Sequence, residues 1–218
     1  MANEQIDLFS LFKQVSKSVK QNKTSLNQAD PYNHDHGDNM VEIFDVITRA
    51  MKEKKTADPA DQLEYAAQLL RSKTGSGSGQ VYASGLESAA KQVLGKDLNI
   101  GTIMTIIQSL MGSTQQPNQQ TAQTAGSDMI GSLMGQLLGG AGKTGAGSSG
   151  TGQGLDLTDL LGAGMNYMSA KQSGKSDIEA ITGALMSGST MAQTPYRAQS
   201  GEVVTSALLK ALTSMLKK

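Results

Sequence analysis

Leu8, Phe12, Val15 and Val19 recur at helical spacing with Lys13, Lys17 and Lys20 between them. That pattern predicts an amphipathic helix over about residues 5–22, whose apolar stripe needs a partner. Met40, Ile43, Phe44, Ile47 and Met51 repeat the pattern in a second helix, after a polar connection carrying Pro31, His34 and His36. Asp58, Pro59 and Asp61 supply an N-cap, a proline at the first helical position and a carboxylate near the positive end of the dipole. A third helix therefore starts there, with Leu63, Ala67 and Leu70 on its buried side. The Gly/Ser run at 75–79 breaks it. A fourth helix over about 80–94 shows Val81, Leu86, Ala90 and Val93, and a fifth covers about 100–111.

The chain then changes character. Residues 114–126 hold five glutamines and Pro117, and residues 139–154 are half glycine; both compositions predict flexible linkers. Between them Ile130, Leu133, Met134, Leu137 and Leu138 mark a sixth helix. A seventh follows over 155–173, an eighth over 177–187, and a last one over about 202–216 with Val204, Leu208, Ala211, Leu212 and Met215 on one face. Alternating β-branched and aromatic residues are almost absent, so strands are not expected. The reading is a single all-α domain, an antiparallel bundle of eight or nine helices.

Composition narrows the function classes. The chain is 218 residues long, enough to bury a sizeable core, and its 19 basic and 19 acidic side chains cancel. No block of five like charges occurs, which argues against a nucleic-acid partner. With no cysteine, disulfides, thiolate metal sites and cysteine nucleophiles are excluded together, and a reducing compartment fits. The N-terminal segment lacks the apolar run of a signal peptide, and no stretch approaches a membrane span, so no membrane partner and a cytoplasmic location are expected.

Two segments could carry chemistry. The connection 27–40 gathers Asp30, Asn33, Asp35, Asp38 and Asn39 beside His34 and His36. Oxygen ligands at that density suit a hard cation such as Mg²⁺, which binds through one or two carboxylates and otherwise keeps waters and substrate phosphates; a solvated turn with Asx hydrogen bonds is the simpler alternative. Spacing excludes an EF-hand ladder, and no third ligand completes a two-histidine zinc site. In the second segment, residues 74–82, glycines can shape a nest of backbone N–H groups at a helix start, docking phosphate without a lysine; a plain linker is the alternative. Gly142-Lys143-Thr144 resembles the end of a P-loop, but the required earlier glycine falls at Leu137 and no strand precedes it.

Together these segments resemble the ADP-binding L subunit of dihydroxyacetone kinase and, more distantly, the nucleotide-binding domain of bacterial fatty acid kinase. Asn33-His34-Asp35-His36-Gly37-Asp38-Asn39-Met40 is similar to the second half of the family pattern D-x-x-x-G-D-x-D-H-G-x-N-M. Gly75-Ser76-Gly77-Ser78-Gly79-Gln80-Val81-Tyr82 is similar to the phosphate loop G-G-x-S-G-x-L-Y. The resemblance implies a closed antiparallel bundle or barrel of about eight helices, with ADP or ATP held at one end. His36, Gly37, Asp38, Asn39, Gly77, Ser78 and Gly79 would then be its nucleotide-site residues. Arg197, in a compressed version of the family's R-A-S-Y segment, would contact phosphate. Of the three family aspartates that hold magnesium, the first falls at Gln28 and the second at Asn33; Asp35 remains and Asp30 is displaced by two positions. Asp30, Asn33 and Asp35 are thus the implied metal set.

Three functions follow as expectations. One is phosphotransfer from a magnesium nucleotide to a small hydroxylated substrate presented by a substrate-binding kinase subunit. Another is a catalytically inactive relative acting as a regulatory or protein-interaction module. In the third, the twelve methionines and the Gly/Gln linkers form a partner-binding surface with no nucleotide at all.

Overall fold

Asp7 caps the first helix by accepting the Ser10 amide at 2.8 Å, and α1 (Leu8–Ala29) buries Leu8, Leu11, Phe12, Val15, Val19 and Leu26 along one stripe. The computed structural model describes residues 7–112, 169, 172–187 and 189–216. After α1 come α2 (His36–Glu53), α3 (Pro59–Lys73), α4 (Gly77–Val93), α5 (Ile100–Leu110), α6 (Asp177–Ser187), a 3-10 turn (Thr190–Gln193) and α7 (Pro195–Leu216). Every regular element among the described residues is helical, as expected. The expected sixth helix, both linkers and most of the seventh lie outside those residues. None of the described helices is long and apolar enough to cross a membrane.

Short connections join α1 to α5, so consecutive helices pack side by side and alternate in direction. The start of α2 and the start of α4 therefore share one end of the bundle. α7 returns to lie on α1 and also touches α2 and α5, and Gln199 donates to the Ser25 hydroxyl at 2.9 Å. The core is an aromatic row across three helices: Phe12 stacks on Phe44 at 6.5 Å, and Phe44 meets the edge of Tyr82 at 5.1 Å. All three side chains are fully buried. The Tyr82 hydroxyl has no hydrogen-bond partner, and burial pushes its pKa up.

Four helix boundaries depart from the periodicity reading. α1 continues to Ala29 rather than ending near residue 22, because Leu26 extends the buried stripe and its last turns bond to α2. α2 begins at His36, α4 at Gly77 and α7 at Pro195, each several residues before the first apolar position of the expected helix. Their first turns are polar or glycine-rich and are fixed by capping and tertiary bonds, to which a hydrophobic period is blind.

Candidate functional site

The first turn of α2 is held by the end of α1. Asn27 Oδ1 accepts the Gly37 amide at 2.6 Å and the Asp38 amide at 3.2 Å, acting as a cap supplied from another helix. Both oxygens of Asp38 are engaged, one by Lys23 Nζ at 2.8 Å and the other by Asn27 Nδ2 at 2.7 Å. The Lys23 bond first, then Asn27, holds this carboxyl below the usual carboxylate range. In this structure Asp38 ties α1 to α2. A Cβ at Gly37 would collide with the Lys23 carbonyl, so only glycine lets the two helices approach this closely.

The first turn of α4 is different. Ser76 caps it by accepting the Gly79 amide at 3.1 Å, and Gln80 N–H bonds to the Ser76 carbonyl. Nothing among the described residues accepts from the amides of Gly77 and Ser78. Thr74 packs beneath, so close that a side chain at Gly79 would strike its hydroxyl. Gly77 and Gly79 thus lie in a helix N-terminus with open donors, so the helix starts inside the glycine run and not after it.

α7 joins the two. A Cβ placed on Gly77 would lie 3.0 Å from Arg197 Nη2, so the guanidinium sits at the mouth of α4. Arg197 Nε is buried without a hydrogen-bond partner, and no carboxylate among the described residues forms an ion pair with Arg197. The neighbouring Tyr196 ring meets the edge of His36 at 4.8 Å and of Tyr32 at 6.4 Å. His36 is only 3% exposed, and its Nε2 is a second buried atom without a partner.

Burial dominates the electrostatics of His36 and lowers its pKa; Arg197 pushes the same way, while Asp30 and Asp35 oppose them. The imidazole is therefore more basic in the unfolded chain than in the folded one. The stability it contributes is complete above its unfolded value of about 6.5 and is lost as pH falls toward the folded value. Urea midpoints measured between about pH 7.5 and 5.5 should fall with acidification, and His36→Gln should flatten that part of the curve. A wild-type midpoint constant across this window would place the imidazole in water.

The residues expected to hold metal are in the same corner but are partly committed. Asp30, buried at the end of α1, accepts the Tyr32 amide at 3.0 Å. Asp35, preceding α2, accepts Asn39 Nδ2 at 2.7 Å. Asn33 is exposed and neutral, and His34 beside it adopts a left-handed φ of 57°. Among the described residues no three His, Cys, Asp or Glu side chains come together as a metal-binding group. Two carboxylates, each already accepting a protein hydrogen bond, and a neutral amide make a weaker ligand set for magnesium than three carboxylates would.

The structure brings His36, Gly77 and Arg197 together through contacts made by neighbouring residues of α7. Sequence reasoning missed Asn27, Lys23 and Tyr196. Only Tyr196, an aromatic beside the singled-out arginine, left a local signal; the other two act through bonds to a different helix.

Residues 34–124 match the family model described as the DAK2 domain. The match contains both motif segments, 33–40 from its second residue and 75–82 entire, and stops well before Arg197, whose place beside α4 comes from the geometry and not from this match. No curated protein and no solved structure matches the chain. Over residues 34–124 the chain is thus similar to the DAK2 domain, the dihydroxyacetone kinase L-subunit type.

Proposed function

We propose that this chain binds ADP or ATP through its phosphates at the corner where α2, α4 and α7 begin. One observation carries the reading: an arginine free of described carboxylates stands at a helix N-terminus whose first two amides are open. Open N–H groups and the helix dipole favour an anion there, and a guanidinium matches phosphate oxygens with its fork of donors. The DAK2 match makes a nucleotide the natural source of that phosphate.

Phosphoryl transfer asks for more. It relies on positioning and on cations that neutralise developing charge. With Asn33 neutral and oxygens of Asp30 and Asp35 already accepting protein hydrogen bonds, the donor set favours the second reading: a nucleotide-responsive regulatory or interaction module. The transfer reading keeps Asp30, Asn33 and Asp35 as magnesium ligands and takes its small hydroxylated substrate from a substrate-binding kinase subunit. A cytoplasmic location accords with either.

ADP at a hundred times its Kd should raise stability by about 2.7 kcal/mol, seen as an upward shift in the thermal midpoint. Gly77→Pro tests the place. Proline is well suited to a first helical position, and Ser76 already has the extended backbone (φ −72°, ψ 146°) that a residue before proline adopts. The variant should fold and lose most of the ADP shift, because an open amide disappears and Arg197 is crowded. A full shift in this variant would move the phosphates away from α4, and no shift in the wild type would end the nucleotide reading.

A further inference from the structure

We infer that this corner holds its phosphate-bearing ligand without a divalent cation, Arg197 supplying the charge that a magnesium ion would otherwise bring. The inference rests on the phosphate-binding reading above and adds to it how the ligand's charge is met.

A magnesium ion bridging protein and phosphate needs anionic oxygens on the protein side. This chain has few to give. Asp38 has both oxygens bonded to α1. Asp35 is turned toward Asn39, Asp30 is buried against the Tyr32 amide, and Asn33 carries no charge. The donors, by contrast, are uncommitted: the amides of Gly77 and Ser78, the buried Nε of Arg197, and a guanidinium with no described carboxylate in ion-pair reach. His36, more than nine-tenths buried, adds an unpartnered ring nitrogen beside Tyr196 in the same corner.

A diphosphate placed there meets a positive helix end and a fixed cation directly, so the protein already carries much of the compensating charge. The position of Asp35 then has a testable sign. In a metal-bridged site its carboxylate attracts the ion and raises affinity. In a metal-free site it is a like charge in the same corner as the phosphates and, if it has any effect, lowers affinity.

Isothermal titration of the full chain with pyrophosphate, and separately with ADP, should be run in EDTA and again in excess magnesium. The expected result is a Kd within about threefold in the two media. Arg197→Gln should weaken it about tenfold or more, with Arg197→Lys recovering part of the loss as a cation without the planar fork. Asp35→Asn should leave binding unchanged or tighten it. Circular dichroism and the thermal midpoint report whether each variant is folded. A gain of tenfold or more on adding magnesium, abolished by Asp35→Asn, would overturn this inference and leave the phosphate site standing. Absence of binding by either ligand in both media would instead remove the phosphate site itself, and this inference with it.

Discussion

Phe44→Ala should destabilise the protein by about 3–5 kcal/mol, the usual cost of deleting a buried phenylalanine ring. The ring is completely buried in α2, stacked on Phe12 of α1 and edge-on to Tyr82 of α4. It therefore ties the helix that presents His36 to the helix that presents the open amides. Truncation loses the transfer energy of the ring and leaves a space that three helices would have to close together. In a chain of this size the thermal midpoint should drop by roughly 6–20 °C. Phe44→Leu, which refills most of the volume, should retain much of the difference. Urea denaturation measures both; a loss below about 1 kcal/mol for the alanine variant would show that the aromatic row is not the centre of the core.

Gly37→Ala should be nearly as damaging although it adds a single methyl group. The new Cβ has no free volume: it meets the Lys23 carbonyl and lies 2.7 Å from Asn27 Oδ1. Backbone cannot rotate away as a side chain can, so α1 and α2 must separate at the point where Asn27 caps α2. Overpacking of this kind costs about 1–3 kcal/mol, and loss of a cap adds about 1 kcal/mol. A total near 2–4 kcal/mol is expected. The two contributions share Asn27, so Gly37→Ala combined with Asn27→Ala should cost less than the sum of the single variants. Strict additivity in equilibrium unfolding would mean that the cap survives the methyl group.

The two perturbations differ in how visible they were beforehand. Phe44 belongs to an apolar series at helical spacing, and its burial follows from that series alone. Gly37 looks like any turn glycine in a polar connection. Its constraint comes from the path of α1, whose carbonyl at Lys23 occupies the space a side chain would need.

The same division runs through the whole molecule. Legible in the residues alone were the all-helical class, the third and fifth helices nearly to the residue, the sixth described helix at 177–187, and the two motif segments that the DAK2 match contains. These are properties of local spacing, because burial of one helical face repeats with the helix and is written every three or four residues. Packing settled where α2, α4 and α7 begin, that Asn27 and Lys23 occupy Asp38, and that Arg197 lies beside Gly77. Those outcomes depend on polar atoms meeting across long separations, as Gln199 and Ser25 do across 174 positions. A hydrogen bond of that kind leaves no period in the chain. It exists once α7 has packed on α1, and the packing of apolar faces elsewhere determines which polar groups are paired at the corner and which are left unpaired.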